Sequence, residues 1–221
     1  MVQSIQLLAT TSITHDTKRF VFTRPPDFDF TPGQGVELAI DLPEWRDEKR
    51  PFTPTSLPSE RILEFTIKAY FDHEGVTKKL HALQPGAALS ISEPFGTIAY
   101  QGPGVFVAGG AGITPFLAIL RELARTGELA QHSLIFSNKT PADIICQQEL
   151  MAYLGTHCCF TCTGESAPGY ESRHVDQTFL AEKISDFDQC FYVCGPPGFS
   201  DAAMEALEAL GANPQHLVFE K

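Results

Sequence analysis

Gly109-Gly110-Ala111-Gly112-Ile113-Thr114-Pro115-Phe116 is the stretch from which the fold of this 221-residue chain is read. Before it runs Val105-Phe106-Val107-Ala108, a short β-branched and aromatic segment that predicts a buried strand. After it, residues 116–124 carry a helical apolar pattern, with Pro115 in the first turn where a missing N–H costs nothing. A strand, a glycine turn and a helix start together make an anion site, because free backbone N–H groups and the positive helix end face one spot. The same pattern also serves a tight turn whose glycines answer to geometry alone. The rest of the chain decides between them.

The length suits one large domain or two small ones, with enough core to need no staples. Hydrophobic residues make up 43% and charged residues 19%, the balance of a globular protein. No apolar run is long enough to span a bilayer, and Met1-Val2-Gln3-Ser4 lacks a basic-then-apolar signal layout, so the expected location is cytoplasmic. A net charge of −11 argues against nucleic acid or an anionic membrane as partner. Residues 1–100 carry 10 Lys/Arg against 13 Asp/Glu, and residues 101–221 carry 6 against 14. An acidic protein partner would therefore approach the first half, where Lys78, Lys79 and His81 stand close in sequence; the same three residues also read as a solvated face.

In the first half, residues 4–8, 17–23, 36–40, 62–70 and 88–92 read as strands, with a brief helix over residues 76–83. Short strands with Gly/Pro turns suggest a small antiparallel barrel. Two polar sites interrupt it. Arg50-Pro51-Phe52-Thr53-Pro54-Thr55-Ser56 sets an Arg, an aromatic ring and several hydroxyls within one turn; the Arg can fork onto a phosphate and a hydroxyl can reach a ring nitrogen. Gly75-Val76-Thr77 is a helix start, again suited to phosphate. Taken singly, Arg50 also reads as a surface ion-pair member and Gly75-Val76-Thr77 as plain helix entry. The segment Tyr100-Gln101-Gly102-Pro103-Gly104 is the natural boundary, dividing the chain into residues 1–100 and 101–221.

In the second half, strands at 133–137, 158–163, 190–194 and 217–219 alternate with helices over 143–154, 177–184 and 200–210. That alternation predicts a parallel sheet with helices on both faces and ligands beyond the carboxyl ends of the strands. All six cysteines lie in this half. Cys159 and Cys162 have C-x-x-C spacing but would face opposite sides of one strand, so they read as small buried hydrophobes and no metal centre is expected. Cys194, at a strand end, reads by itself as packing.

At this point the residues carry a resemblance. From end to end the chain resembles the ferredoxin–NADP reductase family of flavoproteins. The family's Arg-x-Tyr-Ser flavin signature stands here as Arg50-Pro51-Phe52-Thr53, and its Gly-x-x-Ser signature as Gly75-Val76-Thr77-Lys78, with the hydroxyl one place early. Phe30-Thr31-Pro32-Gly33-Gln34 and Glu93-Pro94-Phe95-Gly96 are similar to its framing turns. Gly110, Gly112 and Pro115 match its Gly-x-Gly-x-x-Pro pyrophosphate turn, and Cys194-Gly195-Pro196-Pro197 its Cys-Gly-Pro-Pro motif. Phe52 keeps the ring of the usual Tyr without its hydroxyl, and Thr53 keeps the hydroxyl of the usual Ser.

The resemblance implies a two-domain protein, a β-barrel that holds FAD followed by a doubly wound α/β domain that holds NADPH or NADH. Flavin contacts are expected from Arg50, Pro51, Phe52, Thr53, Ile67, Lys68, Tyr70 (stacked on adenine), Gly75, Val76 and Thr77. FAD is expected over FMN, because residues 75–77 would hold a second phosphate. Nucleotide contacts are expected from Gly110, Ala111, Gly112, Ile113, Thr114, Pro115, Ser137, Asn138, Lys139, Cys194, Gly195, Pro196 and Pro197, with Glu165 a further polar candidate. Thr53 and Cys194 are expected to flank the hydride path. Ser137-Asn138-Lys139 offers no carboxylate to repel a 2′-phosphate and one cation to attract it, which leans towards NADPH; Arg173 and Lys183 are not placed by sequence. Electrons would pass to a ferredoxin or flavodoxin. A reductase of small acceptors (free flavin, quinone, ferric chelate) and an electron-transfer subunit of a larger complex are the alternatives. The chain ends Phe219-Glu220-Lys221 where family members commonly place an aromatic over the flavin, so either Phe219 stacks nearby or the flavin face is open.

Overall fold

The computed structural model describes residues 2–72, 74–96 and 98–219; Glu220 and Lys221 lie outside them. In the first half six antiparallel strands form: β1 (Gln3–Ser12), β2 (Thr17–Thr23), β3 (Val36–Ile40), β4 (Arg50–Phe52), β5 (Ile62–Lys68) and β6 (Ala88–Ile91), with the short helix α1 (Val76–His81) between β5 and β6. Their order is β4-β3-β6-β1-β2-β5. A bridge between Pro54 and Phe65, backed by Thr55 N–H donating to the Glu64 carbonyl at 2.7 Å, brings the two ends together into a nearly closed barrel. Period-two alternation explains the filling. Phe20 and Phe22 of β2, Leu63, Phe65 and Ile67 of β5 and Leu38 of β3 meet in one buried cluster with Leu80 of α1. The two framing turns are paired: Gly35 N–H donates to the Phe95 carbonyl at 3.0 Å, and Phe95 N–H returns to Gly35 at 2.8 Å.

The second half holds five parallel strands, β7 (Gly104–Gly109), β8 (Ser133–Asn138), β9 (Cys158–Cys162), β10 (Cys190–Cys194) and β11 (Leu217–Phe219), ordered β11-β10-β7-β8-β9. Four helices cover it: α2 (Thr114–Thr126), α3 (Gln147–Leu154), α4 (Gln177–Lys183) and α5 (Pro197–Ala209). Phe106 of β7 and Phe136 of β8 pack with Phe116, Leu117 and Leu120 of α2 and Leu150 of α3. Val105 and Val107 point the other way, into Phe179 and Leu180 of α4 and Ala203 and Leu207 of α5. Cys158 and Cys162 join the first cluster and Cys159 the second, so the C-x-x-C pair does straddle the sheet. The strand order reverses between β7 and β10, and the crevice at such a switch point is where ligands of doubly wound sheets sit. Among the described residues no helix is long and apolar enough to cross a membrane.

Several sequence expectations are corrected. The stretch from Arg50 is no turn: it opens as strand β4, pairing Arg50 with Leu38 and Phe52 with Val36. The helix expected over 143–154 is broken. Pro141–Asp143 is a 3-10 turn with a Thr140/Asp143 capping box, Ile144 is extended and buried, and Cys146 adopts φ +54° before α3 begins at Gln147. Helix α5 starts three residues earlier than its periodicity showed, at Pro197. His81 is no surface cation: it is buried, with Nε2 2.8 Å from the Ile67 carbonyl. Lys78 pairs instead with Glu74, and the Lys79 ammonium lies 6.0 Å from the Trp45 ring centre.

Candidate functional site

The glycine stretch that opened the sequence folds as a 3-10 turn (Gly110–Ile113) running into α2, with Thr114 Oγ1 donating to the Ala111 carbonyl at 3.0 Å. Helix α2 takes no side-chain N-cap: it continues directly from the 3-10 turn, and its first N–H, that of Thr114, donates to the Ala111 carbonyl. Gly112 has a steric role that spacing alone did not show. A Cβ there would stand 2.2 Å from the Cys194 carbonyl oxygen, so the turn after β7 and the loop after β10 touch backbone to backbone. Gly110, at φ +52°, has open space where a Cβ would stand.

These loops form one wall of a cleft of about 630 Å³. Ala111, Gly112, Thr114, Pro115, Cys194, Gly195, Pro196 and Pro197 line that wall, and Arg50, Pro51, Phe52, Thr53, Ile67, Lys68, Tyr70, Gly75, Val76 and Thr77 line the barrel side. Thr53 and Cys194 thus border the same space. Arg50 stands exposed at the rim, with Nη1 on the Lys49 carbonyl (2.7 Å) and Nη2 on Glu48 (3.1 Å), so it is at once an ion-pair member and a cleft residue. Lys68 Nζ lies 2.9 Å from Asp16. Burial works against ionisation of Asp16, but hydrogen bonds from Lys68, Thr14 and Thr17 outweigh it and hold the carboxyl below its ordinary range. Tyr70 presents a largely exposed ring beside the helix start at Gly75.

Other expected residues stand elsewhere. Gly110 is not among the residues that line the cleft, and Ile113 is buried in the core against α2. Ser137 opens onto a second hollow with His174, Asp176, Gln177 and Phe199, Asn138 is buried with neither side-chain amide atom hydrogen-bonded, and Lys139 is exposed. Glu165 is exposed on the loop between β9 and α4. Arg173 and Lys183 are held by Glu182 and Glu171, at 2.6 Å each. Phe219 borders a separate hollow with Met204 and Glu208 and does not line the cleft. Sequence reasoning missed Gly35, Thr66, Glu74 and Gly109 as lining residues. Thr66 carried a signal: it alternates with the inward Phe65 and Ile67, so a polar outward position beside Lys68 marks the cleft face of β5.

The donor set fits a flavin and a dinucleotide. The cleft has a cation at its rim, an aromatic face in Tyr70, a hydroxyl in Thr53 and a glycine turn running into a helix start opposite. Residues 4–100 match the oxidoreductase FAD-binding domain and residues 106–205 the oxidoreductase NAD-binding domain. The chain is 28% identical over 218 residues to the reductase component of propane 2-monooxygenase from Rhodococcus jostii, covering 92% of this chain and 58% of that protein. It is 26% identical over 220 residues to the ferredoxin–NAD(P)(+) reductase component of the naphthalene 1,2-dioxygenase system from Pseudomonas putida, covering 96% and 66%. It therefore spans about three fifths to two thirds of these relatives' length. In fold it is similar to the FAD/NAD-binding domain of nitric oxide dioxygenase from Vibrio cholerae, with a TM-score of 0.87, 22% identity and coverage of 99% and 97%. The two family models between them account for nearly the whole chain, and the protein belongs to the ferredoxin reductase-like family of FAD- and NAD(P)-binding oxidoreductases.

Proposed function

We propose that this chain is an NAD(P)H-dependent flavoprotein reductase that delivers electrons to a separate redox protein, with residues 1–100 binding FAD and residues 101–221 binding the nicotinamide nucleotide. The observation that carries this reading is the single cleft lined from both halves, with Thr53 on one wall and Cys194 on the other. When bound, FAD supplies acceptance of a hydride and release of electrons one at a time. The chain's own residues bind and position. Arg50 and the amides at residues 75–77 hold flavin phosphates, Tyr70 stacks on the adenine, and Thr53 sets its hydroxyl towards the flavin ring. The turn at residues 110–115 holds the dinucleotide pyrophosphate on the start of α2. Cys194 sits where the nicotinamide meets the flavin and helps fix their distance.

NADPH is the favoured donor. Lys139 is exposed beyond the end of β8, and among the described residues no carboxylate pairs with it. The acceptor is a one-electron carrier of the ferredoxin or flavodoxin kind, in keeping with the ferredoxin named for the Pseudomonas relative. The test is the visible absorption spectrum of the purified protein, followed anaerobically as NADPH and NADH are added to separate samples. A flavin spectrum bleached at much lower NADPH than NADH supports the reading. A protein that neither holds FAD nor gains its spectrum on reconstitution refutes it. Fast turnover with free flavin, quinone or ferric chelate at low enzyme, with no protein added, would favour the small-acceptor alternative.

A further inference from the structure

The two halves are joined by a partly buried ionic cluster centred on Arg121, two turns into α2. Arg121 Nη1 donates to the Thr55 carbonyl at 2.5 Å and to Glu64 at 2.7 Å, while Nε and Nη2 fork onto the two carboxylate oxygens of Glu149 at 2.6 and 3.0 Å. Glu64 also accepts from Thr55 Oγ1 at 2.9 Å, and Arg19 Nε stands 3.3 Å from its other oxygen. The side chains of Arg121, Glu64 and Glu149 are only 13%, 15% and 23% exposed.

Burying a guanidinium with two carboxylates carries a desolvation cost that only good geometry offsets, and well-packed apolar residues would hold two surfaces together as firmly. What the planar fork adds is direction, because its donors accept partners at fixed angles. The ends of this cluster are telling. Thr55 lies two residues beyond Thr53, on the barrel wall of the cleft. Helix α2, which carries Arg121, begins at Thr114 on the opposite wall. A rigid helix therefore connects the nucleotide turn to the backbone next to the flavin segment.

We propose that Arg121 is a positioning residue for hydride transfer: it sets the spacing between the wall bearing Thr53 and the wall bearing residues 111–115 and Cys194. This rests on the reading of the cleft as the flavin and nucleotide site. A shift of about 1 Å between reacting groups costs on the order of 100-fold in rate, so a register-setting contact acts on the chemical step more than on binding.

The experiment is anaerobic stopped-flow reduction of FAD-loaded protein over a range of NAD(P)H concentrations, which separates the limiting rate from the apparent Kd, with unfolding temperature measured alongside. Arg121→Gln is expected to keep the flavin spectrum and an apparent Kd within about threefold, while the limiting rate falls about 10- to 100-fold. Arg121→Lys, which keeps the charge but not the fork, is expected to recover part of that loss. A Gln variant with a lowered unfolding temperature and an unchanged limiting rate would overturn the proposal, leaving Arg121 a structural ion pair. Should Arg121→Gln not fold, Glu149→Gln takes away the charge and one of the two oxygens that the fork grips while leaving Thr55 and Glu64 in place, and a loss of roughly 3- to 10-fold in limiting rate is expected. An unaltered rate there overturns the proposal equally. Failure of the underlying reading shows differently, since the unsubstituted protein would then not be reduced by either nucleotide.

Discussion

Replacing Gly112 with Ala tests the contact on which the cleft depends. The added methyl would stand 2.2 Å from the Cys194 carbonyl oxygen, 2.4 Å from the carbonyl carbon and 2.6 Å from the Gly195 nitrogen. All three atoms are backbone, so no side chain can swing aside. Restoring ordinary contact requires the turn after β7 and the loop after β10 to part by about 1 Å, and overpacking of this kind costs roughly 1–3 kcal/mol. For a chain of this size each kcal/mol lowers the unfolding temperature by about 2–4 °C, so a fall of about 2–12 °C is expected. The parted loops carry Cys194 and the nucleotide turn, so flavin reduction by NAD(P)H should slow by up to about 100-fold while FAD, held on the barrel, stays bound. Calorimetry and anaerobic stopped-flow read the two effects on one preparation. A variant that melts within about 1 °C of the parent and is reduced at the parent rate would show that the loops do not meet as described.

Three further outcomes are expected. Cys194→Ser should leave the flavin spectrum intact and slow single-turnover reduction about 10-fold; an unchanged rate removes Cys194 from the hydride path. If Lys139 meets the 2′-phosphate as proposed, Lys139→Glu should lower the NADPH-to-NADH ratio of kcat/KM by about 10-fold, because a repelling carboxylate replaces the cation; a constant ratio would show that Lys139 does not contact the nucleotide. His81 is held below its ordinary value of 6.5 by burial, with the Lys18 charge adding to the effect and the Ile67 hydrogen bond and Asp16 opposing it. The unfolded chain therefore binds a proton there more readily than the folded one, and His81's contribution to stability is intact above pH 6.5 and erodes as the pH falls below it. The unfolding temperature should drop over that range, and His81→Gln should flatten the drop; parallel pH profiles for the two proteins would sink this assignment.

The candidate site was legible where its segments are continuous in sequence. Residues 50–53, 75–77, 110–115 and 194–197 each carry a local signature, and except for Gly110 and Ile113 the structure sets all of them on one cleft. Thr66 was legible only as the polar position on the outward face of β5; Gly35 was not, because a residue just before a strand becomes a lining residue only through what packs opposite it. Ser137 and Lys139 belong to a strand end on the far side of β7 from β10, which the strand order decides and no local window records. Arg121 reads in sequence as one more polar residue on an amphipathic helix. Its partners Thr55 and Glu64 lie 66 and 57 residues away, and only the docking of the two halves brings them within reach.

The sequence by itself determined the alternation of strands and helices, the glycine turn between β7 and α2, and the division into an all-β and an α/β half. Apolar periodicity and turn chemistry are properties of short windows, and outside residues 50–52 and 143–146 those windows agree with the final fold. The tertiary structure alone decided the closure of the barrel from Pro54 to Phe65, the break before α3, the burial of His81 and the backbone contact between Gly112 and Cys194. Each of these depends on pairing or packing between residues remote in the chain, where steric fit and desolvation override local preference.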